Sequence, residues 1–206
     1  MRAAQSLGVR GQSEAVEPLL QCLSKPEKNH LVRAVLYSAL GKLGDKRALP
    51  SLSACLKNET RDELRSVCVS AIGSIAEESA LPQILAALEN DSSILVQSSA
   101  VDALGNFSEL SAVKRLSILV ADGDNQMFRQ RAIRALGRTG SASAVKPLLQ
   151  ALTTSSNDSE RVLIVSALTG LRSKEAVMPL NTLLQESADP RLRTQIVIAL
   201  GAIDDG

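Results

Sequence analysis

The sequence predicts an all-α protein, an α-solenoid (superhelix) of about six stacked helix-hairpin repeats with a 32-residue period. Three observations predict this fold: a short motif that returns at a fixed interval, apolar residues at helical spacing within each interval, and a scarcity of aromatic residues. The chain is 45% apolar but only 1% aromatic. Leu, Ala, Val and Ile must therefore fill the interior, which suits closely packed layers of helices.

The motif Ala-Leu-Gly marks the period. It stands at Ala39–Gly41, Ala103–Gly105, Ala135–Gly137 and Ala199–Gly201, with variants that end at Gly8, Gly73 and Thr169. The final residues fall at 8, 41, 73, 105, 137, 169 and 201, so the first interval is 33 residues and the others are 32. A second column keeps the period and contains Arg33, Arg65, Gln97, Arg129, Arg161 and Arg193. Self-similarity of this kind is typical of repeat architectures.

Each interval contains two segments with helical spacing. Before the Gly, Val32, Leu36 and Leu40 share one helical face. We expect Gly41 and Gly44 to end this first helix as C-terminal caps. The small Ala or Ser at the start of each motif is expected to let helices approach closely.

The second helix is expected to start near a proline that follows the motif, because the first helical turn lacks intrahelical N–H partners. Its apolar columns include Ala48, Leu49, Leu52 and Leu56, then Ala80, Leu81, Ile84 and Leu88, and finally Ala176, Val177, Leu180 and Leu184. The linkers carry helix-start residues: Asn29 and Asn125 as caps, Asn157–Glu160 as a capping box, and Asp189 as an N-cap before Pro190.

The chain is predicted to be a single repeat array over residues 1–206. Its units are expected at 1–28, 29–60, 61–92, 93–124, 125–156 and 157–188, with a partial unit at 189–206. We expect a fragment of a longer protein, since the first unit lacks the Val-Arg start and the last has one helix. Apolar residues of the final helix, among them Ile196 and Val197, are expected to favour end-to-end self-association or fraying.

The stretch Val32–Pro50 has the pattern Val-Arg-x5-Ala-Leu-Gly-x-Leu-Gly-Asp-x-x-Ala-Leu-Pro. In this it resembles the short HEAT-like repeats of the phycobilisome lyase type, and the resemblance extends over essentially the whole chain. It implies a protein-binding scaffold or adaptor that uses the concave face of the solenoid, which the second helices line. It leaves a second function open, that of a subunit of a bilin (phycobiliprotein) lyase or a related chromophore-handling complex.

Catalytic members of this repeat class carry additional residues. The deoxyhypusine hydroxylases have paired His-Glu motifs that bind two irons, whereas the single histidine here, His30, is followed by Leu31. The HEAT-like DNA glycosylases use an aromatic and acidic cleft with basic surroundings, which this sequence lacks. We therefore expect no catalytic residue, no metal and no cofactor, and we expect that the chain is not an enzyme.

Two local motifs resemble ligand-binding loops, but we interpret one as a linker and the other as a turn that ends a helix. The acidic stretch Asp122–Asn125 is interpreted as a linker, because the twelfth position of a calcium loop starting there is Ile133 and not an acid. The Gly-x-x-Gly pairs, such as Gly41 with Gly44, lack the Gly-Lys-Ser/Thr ending of a phosphate-binding loop.

Charge and cysteine content limit the partners and the compartment. The 23 basic and 22 acidic side chains give no general attraction to nucleic acid or to an anionic membrane. No run approaches the ~18 apolar residues of a membrane span. Cys22, Cys55 and Cys68 form no CxxC pair, and we interpret them as small apolar core residues in a reducing compartment, which favours a cytoplasmic location.

The expected partner is another protein or a peptide. Candidate partner-binding residues are taken from two exposed columns of the second helices and a basic spot beside them: Gln21, Ala54, Ala86, Lys114, Arg115, Ile118, Lys146, Gln150 and Thr182. An uncharged column suits a peptide or protein surface better than a polyanion. The Arg column is interpreted as a structural ladder to the Asp- and Asn-rich linkers, with a basic stripe for an acidic partner as the alternative.

Overall fold

The described residues of the computed structural model are 14–24, 29–122 and 125–204. They form α-helices joined by 3-10 turns and short linkers, with no β-strand in this part of the chain. The predicted all-α solenoid is therefore confirmed. Helix α1 comprises residues 14–24. The others are α2 (His30–Leu43), α3 (Leu49–Asn58), α4 (Asp62–Ile75), α5 (Leu81–Asn90), α6 (Ile94–Leu104), α7 (Leu110–Ala121), α8 (Gln126–Arg138), α9 (Val145–Thr154), α10 (Asp158–Leu171), α11 (Val177–Glu186) and α12 (Pro190–Asp204).

The helices belong to two compact units, which divide between Ala103 and Leu104. In the first unit, α4 packs on both α2 and α3. In the second unit, α8 packs on α7 and α10, and α10 packs on α9 and α12. The even-numbered helices are the first helices of the repeats, and the odd-numbered helices are the second helices. In each unit a first helix therefore contacts the first helix of the next repeat and the second helix that precedes it. A single array over the whole chain stays a prediction.

Glycine and alanine of the repeated motif interlock between first helices. A Cβ atom at Gly41 would lie 2.6 Å from the Cα of Ala71, and one at Gly137 would lie 2.6 Å from the Cα of Ala167. Real Cβ atoms essentially never come so close, so only glycine fits. The expectation that small residues allow close helix approach is confirmed.

The same contacts correct the expected role of Gly41, which lies inside α2 and does not end it. Gly44 is the C-cap, with φ +67°, as predicted. The left-handed cap position is filled by Ala76 in α4 and by Arg172 in α10. The Gly8 motif lies outside the described residues.

The expected caps at helix starts are present. Asn29 accepts a hydrogen bond from the amide of Leu31, and Asn125 accepts one from that of Phe128. Asn157 accepts from Ser159 and Glu160. The predicted capping box is only half formed, because the Asn157 amide donates to the Ser155 hydroxyl and the Glu160 carboxylate accepts from Arg129. The Asp189 carboxylate accepts from the Leu192 amide at 2.7 Å. These side chains satisfy amides that have no partner within the helix.

The second-helix columns form the core of each unit. Leu52, Ile84, Leu148 and Leu180 are each 0% exposed. Proline occupies the first turn of α3 and α5, where its missing N–H costs no hydrogen bond. The predicted register of the second helices is therefore confirmed.

A disulfide corrects the interpretation of the cysteines. Cys55 of α3 and Cys68 of α4 are bonded and buried, and they are 13 residues apart in the sequence. Cys22 is a free cysteine and is exposed, so it is not a core residue. The bond joins a second helix to the first helix that follows it.

Among the described residues, no helix has the length and apolar character needed to cross a membrane.

Candidate functional site

The predicted partner-binding residues are mostly on the surface. Eight of the nine are exposed, and Arg115 is half-buried. All lie on second helices, with Gln21 on α1, Lys114, Arg115 and Ile118 on α7, and Thr182 on α11. Exposure makes these columns accessible to a partner, whereas the binding itself stays a prediction.

Within the part of the chain that the structure describes, grooves lie between successive second helices at three places. The α1/α3 groove has a volume of about 300 Å³ and the α3/α5 groove one of about 460 Å³. The α7/α9 groove, in the second unit, has a volume of about 640 Å³. Clefts of this size bind small molecules or a few side chains of a peptide.

Equivalent repeat positions line the three grooves. One wall contains Leu20 and Leu23 in the first groove, Ser53 and Leu56 in the second, and Ser117 and Val120 in the third. The opposite wall contains Ala54 and Cys55, then Ala86 and Ala87, then Gln150 and Ala151. The groove is therefore a property of the repeat, and its chemistry changes with the residues placed at these positions.

Ala54, Ala86 and Gln150 are the predicted residues that line a groove. The other six predicted residues are not among the lining residues of these three grooves. The prediction missed polar lining residues at the C-terminal ends of the second helices: Asn58, Asn90, Thr153 and Thr154. They lie three or four residues after the predicted column, so helical spacing from that column could have identified them.

Hydroxyl groups give the α7/α9 groove its polar character. Ser117 donates to the Val113 carbonyl at 2.7 Å, and Thr153 donates to the Gln150 carbonyl at 2.8 Å. Thr154 also donates to the Gln150 carbonyl, at 3.1 Å. Since the hydroxyl protons are used within the helices, the oxygen lone pairs remain available to accept hydrogen bonds from a ligand.

The Arg column contributes to the grooves: Arg33 lines the α1/α3 groove and Arg129 the α7/α9 groove, whereas the α3/α5 groove is lined by Asp91, the partner of Arg65. Arg65 makes a bidentate ion pair with Asp91, both bonds being 2.8 Å, and also donates to the carbonyls of Glu59 and Thr60. Arg33 pairs with Glu59 at 2.7 Å.

The second unit repeats this arrangement. Arg129 donates to Glu160 at 2.7 Å and to the Val120 carbonyl. Arg161 donates to the Ser155 carbonyl at 2.8 Å, and Arg193 to the Leu184 carbonyl at 2.7 Å. The predicted structural ladder is confirmed, because these guanidinium groups bind linker carbonyls and carboxylates.

The ladder changes the ionisation of its acids in the first unit. The hydrogen bond from Arg65 holds the pKa of Asp91 below its ordinary value of 3.8. The charged form is favoured because the guanidinium compensates for partial burial of the carboxylate. Asp91 therefore stays ionised to unusually low pH.

Candidate metal ligands are dispersed. Among the described residues, no three His, Cys, Asp or Glu side chains form a group that could hold a metal ion. His30 is exposed at the start of α2, beside the Asn29 cap, as expected. Gly123 and Asp124 of the acidic stretch lie outside the described residues.

The chain belongs to the HEAT-repeat family. The family model for HEAT repeats matches residues 1–73, 60–137, 81–161 and 145–205. The search of curated proteins gives no match.

Solved structures that are similar to the chain include the following two. One is human deoxyhypusine hydroxylase in complex with glycerol, at 17% identity and a TM-score of 0.47, over 100% of this chain and 92% of that chain. The other is the complex of CpcE and CpcF of phycocyanin lyase from Nostoc sp. PCC7120, at 20% identity and a TM-score of 0.38, over 91% of this chain and 98% of that chain. At these identities the similarity concerns the fold.

The match to the HEAT-repeat model confirms the family resemblance, but one prediction drawn with it is wrong. The chain was expected not to be an enzyme, whereas the solved chains similar to it include a hydroxylase, which is an enzyme. Repeat architecture and the missing His-Glu motif do not exclude catalysis, because unrelated activities occur on one fold.

Proposed function

We propose that the chain is a protein-binding scaffold or adaptor whose second helices hold a peptide or protein segment. One observation carries the proposal: the same groove recurs at equivalent repeat positions between α1 and α3, between α3 and α5, and between α7 and α9. Repeated grooves suit a ligand that is itself extended and can place successive side chains in successive sites.

The composition of the grooves supports a polypeptide ligand. Apolar side chains such as Leu56 and Val120 form part of the walls, while amides and hydroxyls such as Asn90 and Thr154 lie at their ends. A peptide presents both apolar side chains and backbone hydrogen-bonding groups, and it can pair with both kinds of lining.

A random peptide library selected against the purified chain tests this function without assuming a partner. We expect enriched peptides whose binding is abolished by Ala86→Arg or Gln150→Arg, because each places a long charged side chain in a groove. Ile118→Arg tests the same predicted column at a position that does not line these three grooves. All three positions are exposed, so we expect stability to change by only about 0.5 kcal/mol.

Ser70→Arg and Ser166→Arg are the matched controls, since both serines are exposed on first helices. The proposal fails if the library yields no enriched sequence. It also fails if the groove variants bind the enriched peptides as tightly as the control variants do.

A further inference from the structure

We propose that the α7/α9 groove selects an acidic peptide in the polyproline II conformation, with carboxylates three residues apart placed against Lys114 and Lys146. This inference rests on the proposed scaffold function and specifies the chemistry of one of its ligands.

Lys114 on α7 and Lys146 on α9 lie next to residues that line the groove. Lys114 precedes the lining residue Ser117 by three positions, and Lys146 precedes the lining residue Gln150 by four. Side chains at these spacings are neighbours on a helix surface. Both lysines are exposed, and among the described residues neither has an ion-pair or hydrogen-bond partner. Their charges are thus available to a ligand in the groove.

Among the described residues that line the groove, no carboxylate offsets these charges. The residues that line it include a single charged side chain, Arg129, whose guanidinium is bound to Glu160 and to the Val120 carbonyl. Lys146 also lies in the first turn of α9, where the aligned peptide dipoles add positive potential. An anionic group of a ligand would therefore be attracted to this edge.

The equivalent positions in the first unit lack this feature. Glu17, Pro50 and Pro82 occupy the column that holds Lys114 and Lys146 in the second unit. The α3/α5 groove does contain Lys57, but Asp91 also lines it. The acidic specificity is therefore assigned to the α7/α9 groove, and the first unit provides an internal comparison.

The spacing of the lysines favours one peptide conformation. Helices that pack against each other generally lie about 8–10 Å apart. Since α7 contacts α9 and the lysines occupy equivalent repeat positions on them, we expect a similar spacing between the lysines. A polyproline II helix has three residues per turn and a rise of about 3.1 Å, so residues i and i+3 face the same way about 9 Å apart. In a β-strand, residues i and i+3 face opposite sides.

A peptide fits this surface better than nucleic acid. None of the described residues that line the α7/α9 groove is aromatic, so stacking of bases, which drives binding of single strands, has no platform there. Two lysines neutralise two charges, which suits two carboxylates and not a continuous phosphate backbone.

Fluorescence anisotropy with labelled synthetic peptides tests the inference on the whole chain. The probe is a peptide of four Glu-Pro-Pro repeats, and the comparison peptides are four Gln-Pro-Pro repeats and six Glu-Pro repeats. We expect the probe to bind about ten-fold more tightly than the glutamine peptide. We also expect it to bind more tightly than the Glu-Pro peptide, whose carboxylates are two residues apart.

The double variant Lys114→Gln with Lys146→Gln should weaken binding of the probe about ten-fold and leave binding of the glutamine peptide unchanged. Lys42→Gln and Lys174→Gln, which remove exposed lysines outside the three grooves, should change binding of neither peptide. Equal binding of the three peptides, no binding of the probe, or equal losses in the double variant and the control variants would each overturn the inference.

Tighter binding of a single-stranded oligonucleotide than of the probe would also overturn it. The scaffold function has a separate outcome, because library peptides that need Gln150 but carry no acidic residues would uphold the scaffold and reject the acidic specificity.

Discussion

The alanine and the glycine of the repeated motif, which are two positions apart, determine how closely the first helices pack. Glycine at 41, 73, 105 and 137 is opposed by alanine at 71, 103, 135 and 167, so each glycine meets the alanine thirty residues later. From the sequence alone, a glycine near the end of a helix is most simply explained as a cap. The contact that explains it instead lies in the next repeat, and local periodicity does not show that contact.

This packing predicts a large difference between two chemically identical substitutions. Gly137→Ala should destabilise the protein by about 1–3 kcal/mol, because the new methyl would overlap the backbone of Ala167. Gly201→Ala, at the same column in α12, meets nothing within 4 Å and should stabilise by about 0.5–1 kcal/mol through helix propensity. Urea unfolding followed by circular dichroism measures both, and equal effects of the two substitutions would reject the packing explanation.

The bidentate pair of Arg65 and Asp91 predicts a dependence of stability on acid pH. The hydrogen bond from Arg65 lowers the pKa of Asp91 in the folded chain below 3.8, its ordinary value. A carboxylate with a lowered pKa stabilises the fold above its unfolded pKa, and this contribution is lost as pH falls through the folded pKa. The unfolding midpoint should therefore fall as pH is lowered from about 5 to below 3.8, and less so in Asp91→Asn.

Arg47 and Asp45 supply the control for that experiment. They form an ion pair at 2.7 Å within one turn of the chain, but the Arg47 side chain is 46% exposed. Exposed pairs contribute little to stability, so Asp45→Asn should leave the pH profile almost unchanged. If Asp91→Asn has the same profile as the parent protein, the pair does not stabilise the fold.

At the scale of helices, the sequence predicted the periodic features well. The buried second-helix columns and the caps at Asn29, Asn157 and Asp189 follow from spacing and from backbone groups that need partners. Exposure of the column with Ala54 and Gln150 follows from the same helical geometry. The disulfide could not be predicted, because the sequence does not show which cysteines come together in space.

Loss of the disulfide between α3 and α4 should destabilise the first unit. Since it joins residues 13 apart, the bond restricts a short loop in the unfolded chain, and a stabilisation of about 3 kcal/mol is expected. A thiol reductant should therefore lower the urea midpoint of the parent protein. The double variant Cys55→Ala with Cys68→Ala should no longer respond to the reductant.

Cys22→Ala is the matched control, because Cys22 is free and exposed. This variant should keep the full response to the reductant. A midpoint of the parent protein that does not change under reducing conditions would show that the bond does not contribute to stability.

At the scale of the molecule, the repeat determines the family and the set of possible binding surfaces but not the ligand. The repeat columns of the sequence predict the exposed faces of the second helices, since exposure follows from helical geometry. The sequence predicted only some of the residues that line the grooves, because each groove is built by two helices and includes residues near the helix ends. Activity is even less accessible to such reasoning, since it depends on individual side chains placed on a widely used fold.

Helix α12 carries the apolar surface that we expect to cause self-association. Val197 is 57% exposed, although the residues at its column in other first helices, Val69, Val101, Ile133 and Val165, are each 0% exposed. Ile198 beside it is 56% exposed. Two such side chains side by side form an apolar patch that favours contact with another copy.

Light scattering over a concentration series should show an average mass that rises with concentration. Val197→Lys should reduce that rise, because it places a charge in the contact. Val35→Lys is the control, since Val35 of α2 is 68% exposed but lies on another helix. A parent protein that stays monomeric throughout the series, or equal effects of the two lysine variants, would show that α12 is not the contact.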